Sequence, residues 1–175
     1  MAATFMGIEW QQNWEDMVIW EEFYNKYAPR TLIELGTGRG GMAIFSAMQC
    51  ASRGMHYYTF DNNAWFDMNG ALSSLLNIKG GFHCVDIFSD EGINQVVGII
   101  NQAPRPIAMF FDDGNKPREW SIFAPRLAPG DFCIVHDWGN EFTESDIGGV
   151  PVERILTTIS DSRGIGWKSM WFVRK

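Results

Sequence analysis

The sequence predicts an α/β domain in which helices flank a single doubly wound, mainly parallel sheet. Short runs of β-branched and aromatic residues alternate along the chain with helical patterns, as is typical of βαβ units. One such run, at 31–35, leads directly into the glycine-rich turn GTGRGG at 36–41 and then into a helical pattern. The 175 residues suit one domain of this kind, and no linker rich in Pro, Gly or Ser divides them.

Each element is predicted from its own pattern. Pro29 ends an opening helix over 9–27, whose aromatic and apolar stripe is Trp10, Trp14, Met17, Trp20, Tyr24 and Tyr27. Further helices are predicted over 42–52, 66–78, 89–102, 117–127 and 151–160. Strands are predicted over 31–35, 56–61, 82–86, 107–111, 132–136 and 167–173. A polar loop is expected over 137–149.

The predicted domain has three parts. These are an N-terminal helical segment at 1–28, a cofactor-binding core at 29–138 and a C-terminal part at 139–175. The last part has room for one helix and one or two short strands, so the fold is predicted to be shortened at the C-terminus. An acceptor pocket is therefore expected to draw on the N-terminal helix or on a second subunit of a homo-oligomer.

Composition argues against several classes of partner. The chain carries 21 Asp and Glu against 14 Lys and Arg, a net charge of −7, which disfavours duplex nucleic acid. Apolar runs such as 107–111 are far shorter than the roughly 20 residues of a membrane-spanning helix. The N-terminus lacks the pattern of a secretory signal, and Cys50, Cys84 and Cys133 are widely spaced. We expect buried, reduced thiols in a cytoplasmic protein.

The glycine-rich turn is the strongest local motif. Gly36, Gly38 and Gly41 satisfy G-x-G-x-x-G between a strand and a helix, where backbone N–H groups can receive a ligand. Asp61 ends the second predicted strand, 20 residues beyond Gly41, where a carboxylate can accept both ribose hydroxyls of a nucleoside. Without Asp61 the pattern would also fit an ordinary strand-to-helix turn.

Acidic residues follow two further strands. Asp112 and Asp113 come after the strand at 107–111, and Asp137 follows the strand at 132–136. The carboxyl ends of parallel strands face the crevice where ligands bind in doubly wound sheets. Oxygen ligands suit Mg²⁺ or another divalent cation, which would orient and acidify a hydroxyl group. Alternatively, these acids cap helices or pair with basic residues such as Lys116.

Around the glycine turn the sequence resembles the class I S-adenosylmethionine-dependent methyltransferases, which have a Rossmann-like fold. The resemblance depends on Glu34, two residues before Gly36, together with the turn and Asp61. It implies that Glu34 lies near the methionine portion of S-adenosylmethionine, Asp61 holds the ribose and Asp86 lies near the adenine amine. The implied cofactor-binding residues are Glu34, Gly36, Thr37, Gly38, Gly41, Asp61, Asp86 and Asp112.

Residues 109–138 look like the metal-dependent sugar O-methyltransferases and their cephalosporin-hydroxylase-like relatives. The matching pieces are Asp112-Asp113-Gly114, Leu127-Ala128-Pro129-Gly130 and His136-Asp137, and the resemblance covers about residues 12–138. It implies a divalent metal held by Asp112, Asp113 and Asp137. The family's histidine, a candidate general base, is replaced by Lys116, and the serine before it by Asn115. The base therefore stays open among Lys116, His136 and water, with Asp112 as a further catalytic candidate.

These features predict methyl transfer from S-adenosylmethionine to a hydroxyl of a small polar acceptor, with a divalent metal as an expected aid. Two alternatives remain. The replaced histidine and the short C-terminal part would also suit a protein that binds S-adenosylmethionine without catalysis. A nicotinamide-dependent oxidoreductase would use the same glycine turn, but Glu34 and the Asp112-Asp113-Gly114 element argue against it.

Overall fold

Helices and strands alternate along the chain, for which the computed structural model describes residues 3–62, 79–157 and 169–175. The strands are β1 (Thr4–Phe5), β2 (Ile8–Glu9), β3 (Thr31–Leu35), β4 (His56–Asp61), β5 (Lys79–Cys84), β6 (Ile107–Phe111), β7 (Phe132–Val135), β8 (Val152–Arg154) and β9 (Met170–Arg174). The α-helices are α1 (Asp16–Tyr27), α2 (Gly41–Arg53), α3 (Asp90–Gln102) and α4 (Lys116–Phe123). Short 3-10 helices span Ala124–Arg126 and Glu144–Ile147.

Seven strands form one sheet in the order β5-β4-β3-β6-β7-β9-β8, and β1 and β2 form a separate hairpin. The central strand β3 pairs in parallel with both β4 and β6. The chain therefore runs from β3 toward one edge, returns, and continues toward the other. β9 is antiparallel to both of its neighbours. The doubly wound, mainly parallel fold is thus confirmed, and the reversal of strand order opens a crevice between β3 and β6.

The sheet buries both of its faces. Alternate residues of β3 pack on opposite sides, Leu32 with α1 and α2 and Ile33 with α3 and α4. All five residues of β3 and all five of β6 are buried, which explains why β6 is a continuous apolar run rather than an alternating pattern; β3 is interrupted by the buried Thr31 and Glu34. Among the described residues, none of the helices has the length and apolar character needed to cross a membrane.

The predicted opening helix over 9–27 is wrong at its start, since α1 begins only at Asp16. Earlier in the chain, residues 4–9 form the β1–β2 hairpin, which turns at Met6 and Gly7 with positive φ angles. Trp10 and Trp14 lie between the hairpin and the helix, with ring centroids 5.4 Å apart. Their separation of four residues matches the spacing of a helix, although both lie before its first residue. Trp14 is 48% exposed and therefore does not belong to the core.

The C-terminal part differs from the prediction in its secondary structure. The helix expected over 151–160 is replaced at its beginning by β8, which pairs with β9, and 158–160 lie outside the described residues. The helix predicted over 66–78 also lies outside them. Despite its short length this part contributes both β8 and β9 to the sheet. The division at 28 and 138 stays a prediction.

Smaller differences concern the ends of elements and one cysteine. The strand predicted over 82–86 is β5, which begins at Lys79, and the helix predicted over 117–127 is α4 followed by a 3-10 turn. The last strand, predicted over 167–173, is β9. Cys84 is exposed, in contrast to the expectation that all three thiols are buried.

The turn after β3 lies directly against the end of β6. Gly36 has φ +93°, and a Cβ atom added to it would lie 2.3 Å from the carbonyl oxygen of Asp112. A hydrogen bond holds the same junction, because Asp112 N donates to Leu35 O at 2.9 Å, and Gly36 N donates to Phe60 O of the neighbouring β4 at 2.9 Å. Only glycine can occupy this position without displacing either the turn after β3 or the end of β6.

Gly36→Ala is predicted to destabilise the protein more than Gly114→Ala. Both glycines have positive φ, which costs alanine about 1–2 kcal/mol, but Gly114 has open space where the methyl group would lie. At Gly36 the methyl group also meets backbone, which adds about 1–3 kcal/mol. Urea unfolding of both variants measures the difference in free energy. Equal losses would show that the β3 and β6 ends are not held in contact.

Candidate active site

A cavity of about 320 Å³ lies at the carboxyl ends of the parallel strands, where the strand order reverses. The glycine turn forms one wall, and Asp61 lies at the end of β4. The segments after β6 and β7 form the opposite wall and carry most of the charge. The residues they contribute are Asp112, Asp113, Gly114, Lys116, His136, Asp137 and Glu141. Gln11 and Gln12 complete the lining from the N-terminal segment.

Side chains from β4 hold the glycine turn in place. The Oδ2 atom of Asp61 accepts a hydrogen bond from Gly38 N at 2.8 Å. The hydroxyl groups of Thr37 and Thr59 are 2.6 Å apart, so the beginning of the turn is also fixed to β4. Gly41 then begins α2, and the cavity reaches this helix start at 40–42. The turn, Asp61 and Thr37 therefore lie together, as their predicted role requires.

Glu34 and Asp86 do not line this cavity in the described part of the chain. The Glu34 carboxylate is buried beneath the turn and accepts a hydrogen bond from the Tyr57 hydroxyl. Burial raises the pKa of Glu34 to about 7, although the bond from Tyr57 acts in the opposite direction. Asp86 is exposed and accepts a hydrogen bond from Phe88 N at 2.8 Å, so its carboxylate holds the turn before α3.

A buried lysine lies at the centre of the acidic wall. Lys116 Nζ is 3.2 Å from Asp112 Oδ1, 3.2 Å from Asp137 Oδ2 and 2.8 Å from Glu141 Oε2. Its side chain is only 2% exposed. Asn115 caps the start of α4, because its side chain accepts a hydrogen bond from Arg118 N, and this cap positions Lys116. Lys116 is the first residue of the helix and lies one turn beyond Asp112.

His136 faces the same two carboxylates. Its Nδ1 atom is 3.2 Å from Asp112 Oδ1 and 3.2 Å from Asp137 Oδ2. Burial lowers the pKa of His136, but the two carboxylates outweigh burial and raise it to about 10. The pKa of Asp137 shifts the other way, because His136 and Lys116 outweigh the effect of burial and hold it below its ordinary value. His136 therefore borders the cavity as a cation at neutral pH.

The charges also decide how Lys116 behaves. Burial alone would lower its pKa, but Asp112, Glu141 and Asp137 outweigh burial and hold it above the ordinary value. Neither Lys116 nor His136 is thus in the neutral form that a general base requires at neutral pH. Asp113 lies to one side, where burial and the carboxylates of Asp61 and Asp86 raise its pKa to about 7.

Three of these residues have the composition of a metal site. Ligand atoms of Asp112, His136 and Asp137 all lie within 4.8 Å of one another, whereas Asp113 is not part of this group. Carboxylate oxygens are the ligands that Mg²⁺ prefers. However, Lys116 Nζ already contacts the Asp112 and Asp137 oxygens that a shared ion would use. With Lys116 in this position, the arrangement does not fit a divalent cation.

Two glutamines and one glutamate were missed by the sequence analysis. Gln12 Nε2 donates to Asp112 Oδ2 at 2.6 Å, and Gln11 Oε1 accepts from Arg39 N at 2.8 Å. The prediction of a helix through 9–27 concealed them; the pocket was expected to draw on the N-terminal helix or a second subunit, whereas both glutamines precede α1. Glu141 follows β7 in a loop, and no sequence motif identifies it. Its role appears only from its contact with Lys116.

The sheet, the glycine turn and the acidic crevice define a Rossmann-like domain of the methyltransferase class. The chain belongs to the rhamnosyl O-methyltransferase/CmcI family, whose model matches residues 1–151. This confirms the family resemblance predicted from the motifs. It also sets aside the nicotinamide-dependent oxidoreductase as an alternative.

Individual relatives agree with this assignment. A rhamnosyl O-methyltransferase of Mycobacterium bovis (strain BCG / Pasteur 1173P2) is 27% identical over 158 residues, which are 86% of this chain and 60% of that protein. The chain therefore spans 60% of the length of this curated relative. A solved structure of CmcI with Mg-SAM has a TM-score of 0.74 at 13% identity and covers 99% of this chain and 76% of that chain. An O-methyltransferase from Bacillus cereus in complex with SAH has a TM-score of 0.58 at 14% identity, with coverages of 93% and 82%. These structural likenesses support the fold.

Glu34→Gln is predicted to change how stability depends on pH. The folded protein keeps the Glu34 proton up to a pKa of about 7, whereas the unfolded chain loses it near pH 4. Wild-type stability attributable to this group therefore falls as pH rises from about 4 to about 7. The glutamine variant avoids that loss, so it should gain on the wild type with rising pH, by at most about 3 kcal/mol above pH 7.

Urea unfolding of both proteins between pH 5 and pH 8 measures this difference. The exposed Glu153 gives a matched control, since Glu153→Gln should show no comparable trend. Parallel stability curves for the wild type and Glu34→Gln would mean that Glu34 is already ionised in the folded protein.

Proposed function

We propose that this chain binds S-adenosylmethionine and transfers its methyl group to a hydroxyl of a small polar acceptor. The observation that carries the proposal is one cavity that joins the glycine turn and Asp61 to a buried cluster of charged side chains. Membership of an O-methyltransferase family supports this chemistry. The domain spans only part of its curated relatives, so activity and acceptor are proposed for this chain rather than transferred to it.

The donor would lie along the glycine turn. Gly36, Gly38 and the start of α2 present backbone to the methionine end, and the Asp61 carboxylate is in position for the ribose hydroxyls. Glu34 would act indirectly, because its carboxylate lies under the turn and supports it through Tyr57 and β4. Asp86 would contribute only by stabilising the turn before α3, where it accepts a hydrogen bond from Phe88 N. The adenine contact assigned to it from the family resemblance is not part of this proposal.

The acceptor would lie on the opposite wall. That wall offers the polar groups of Asp112, Lys116, His136, Asp137 and Glu141. Such a set of hydrogen-bonding groups suits a polyhydroxylated molecule better than an apolar one. The name of the Mycobacterium bovis relative refers to a rhamnosyl acceptor, which supports a sugar-like acceptor here. A homo-oligomer and a cytoplasmic location stay predictions from the sequence.

The transfer is a direct displacement. The acceptor oxygen forms a bond to the methyl carbon while the carbon–sulfur bond breaks, and its electron pair stays on sulfur as S-adenosylhomocysteine forms. The acceptor proton would leave to water, because Lys116 and His136 already carry theirs and hold the pKa of Asp137 below its ordinary value. Holding the two reactants in line would supply much of the acceleration. Lys116 and His136 would stabilise the negative charge that develops on the acceptor oxygen.

Binding of the donor without catalysis is the second candidate function. One observation favours it: among the described residues that line the cavity, the two candidate bases Lys116 and His136 both face carboxylates. Calorimetric titrations with S-adenosylmethionine, S-adenosylhomocysteine and NADH test the donor site first. Methylated product from hydroxylated acceptors then distinguishes an enzyme from a binding protein. Folded protein that binds neither adenosyl ligand would contradict both candidates.

Asp61→Asn is predicted to weaken binding of S-adenosylhomocysteine roughly 10- to 100-fold, the usual cost of losing a charged hydrogen-bond acceptor. Asparagine keeps an oxygen that can accept from Gly38 N, so the turn itself should persist. Isothermal titration calorimetry measures the change in Kd. The control is Asp90→Asn, an exposed position in the first turn of α3, where affinity should not change. Equal affinities for Asp61→Asn and the wild type would rule out Asp61 as the ribose ligand.

A further inference from the structure

We infer that the ammonium group of Lys116 takes the place of a divalent cation between Asp112 and Asp137, so that this chain works without a metal ion. The inference rests on the proposed function, because it names the group that would hold the acceptor oxygen in that reaction. It departs from the metal site that the sequence predicted at Asp112, Asp113 and Asp137.

The first argument is positional. Lys116 Nζ lies 3.2 Å from each of the two carboxylate oxygens, Asp112 Oδ1 and Asp137 Oδ2, that a shared ion would use. Mg²⁺ binds such oxygens at about 2.1 Å. An ion bound to both would therefore lie beside the ammonium group, and two like charges in direct contact strongly repel each other.

The second argument is that Lys116 is built into the site. Its side chain is 2% exposed, and it begins the helix that Asn115 caps. Trp120 anchors the same helix in the core between β6 and the C-terminal strands, through ring contacts to Phe111 and Phe172. A lysine on a flexible surface loop could move aside for an incoming ion. Moving Lys116 aside would instead separate a buried ammonium group from the carboxylates that it pairs with, which is costly.

The third argument concerns what the ammonium group can do. An ammonium group has three N–H donors, and Lys116 is close to three carboxylates. Glu141 is the replaceable partner, because its side chain is 44% exposed, against 12% for both Asp112 and Asp137. An acceptor oxygen that displaced Glu141 would receive the third N–H. It would then be held by a fixed positive charge that favours the developing oxyanion.

Direct measurement of cation binding tests the inference. Mn²⁺, a spectroscopic substitute for Mg²⁺, is titrated into the full chain, and free Mn²⁺ is followed by electron paramagnetic resonance. The wild type should bind no ion with a Kd below about 1 mM, the weak range of protein sites for hard cations. Lys116→Gln removes the ammonium group and should bind one Mn²⁺ at least tenfold more tightly than the wild type. Adding Asp137→Asn to that variant should abolish the gain.

Two controls separate charge from folding. Lys116→Arg keeps a cation in place and should exclude Mn²⁺ as the wild type does. Lys26→Gln removes an exposed lysine from the last turn of α1 and should also leave Mn²⁺ binding unchanged. Thermal unfolding establishes which variants are folded, and the wild-type titration remains decisive even if Lys116→Gln does not fold.

Two results would overturn the inference. One is stoichiometric binding of Mn²⁺ by the wild type that Asp137→Asn removes. The other is a folded Lys116→Gln variant that gains no Mn²⁺ binding, because the lysine would then not be what excludes the ion. Neither result depends on the methyl donor. Calorimetry with S-adenosylhomocysteine, repeated with Mg²⁺ and with a chelator, reports on the proposed function separately.

Discussion

The backbone contact between Gly36 and Asp112 is the constraint on which the rest of the site depends. The chain reverses its direction of travel across the sheet between β3 and β6, so the ends of these two strands must meet. A side chain at Gly36 would separate them. Because they meet, the glycine turn and the acids after β6 share one cavity, and a methyl donor on one wall can reach an acceptor on the other. Sheet topology thus sets the geometry of the proposed reaction before any catalytic side chain does.

The acids that this topology brings together create an electrostatic cost that the fold must offset. Asp112 and Asp137 are largely buried beside each other, and two carboxylates in such a setting do not both ionise without compensating positive charge. Lys116 and His136 supply that charge, and each of them contacts both acids. The same contacts keep the lysine and the histidine protonated, which removes them as general bases. Stability of the wall and choice of proton acceptor therefore have a common cause.

Sequence patterns predicted the sheet well because its central strands are buried on both faces, where short runs of mostly β-branched, apolar and aromatic residues are typical. The placement of Asp112 and Asp137 followed from their positions at strand ends. The direction of a side chain could not be predicted from such a position. The Glu34 carboxylate, for example, is bonded to Tyr57 instead of lining the cavity. The N-terminal segment was misread for another reason. Trp10 and Trp14 have the four-residue spacing of a helix, but they stack on each other before the helix begins.

Family membership and local chemistry answer different questions in this protein. A TM-score of 0.74 at 13% identity shows that the backbone arrangement persists while most side chains change. What such an arrangement requires at the acidic wall is positive charge at one point, and a divalent ion and a buried ammonium group both meet that requirement. The first residue of α4 decides between them, because a helix that begins one turn after Asp112 directs this side chain at the carboxylates. In the proposed arrangement, the ammonium group of Lys116 supplies, next to His136, the positive charge that a bound ion would otherwise supply.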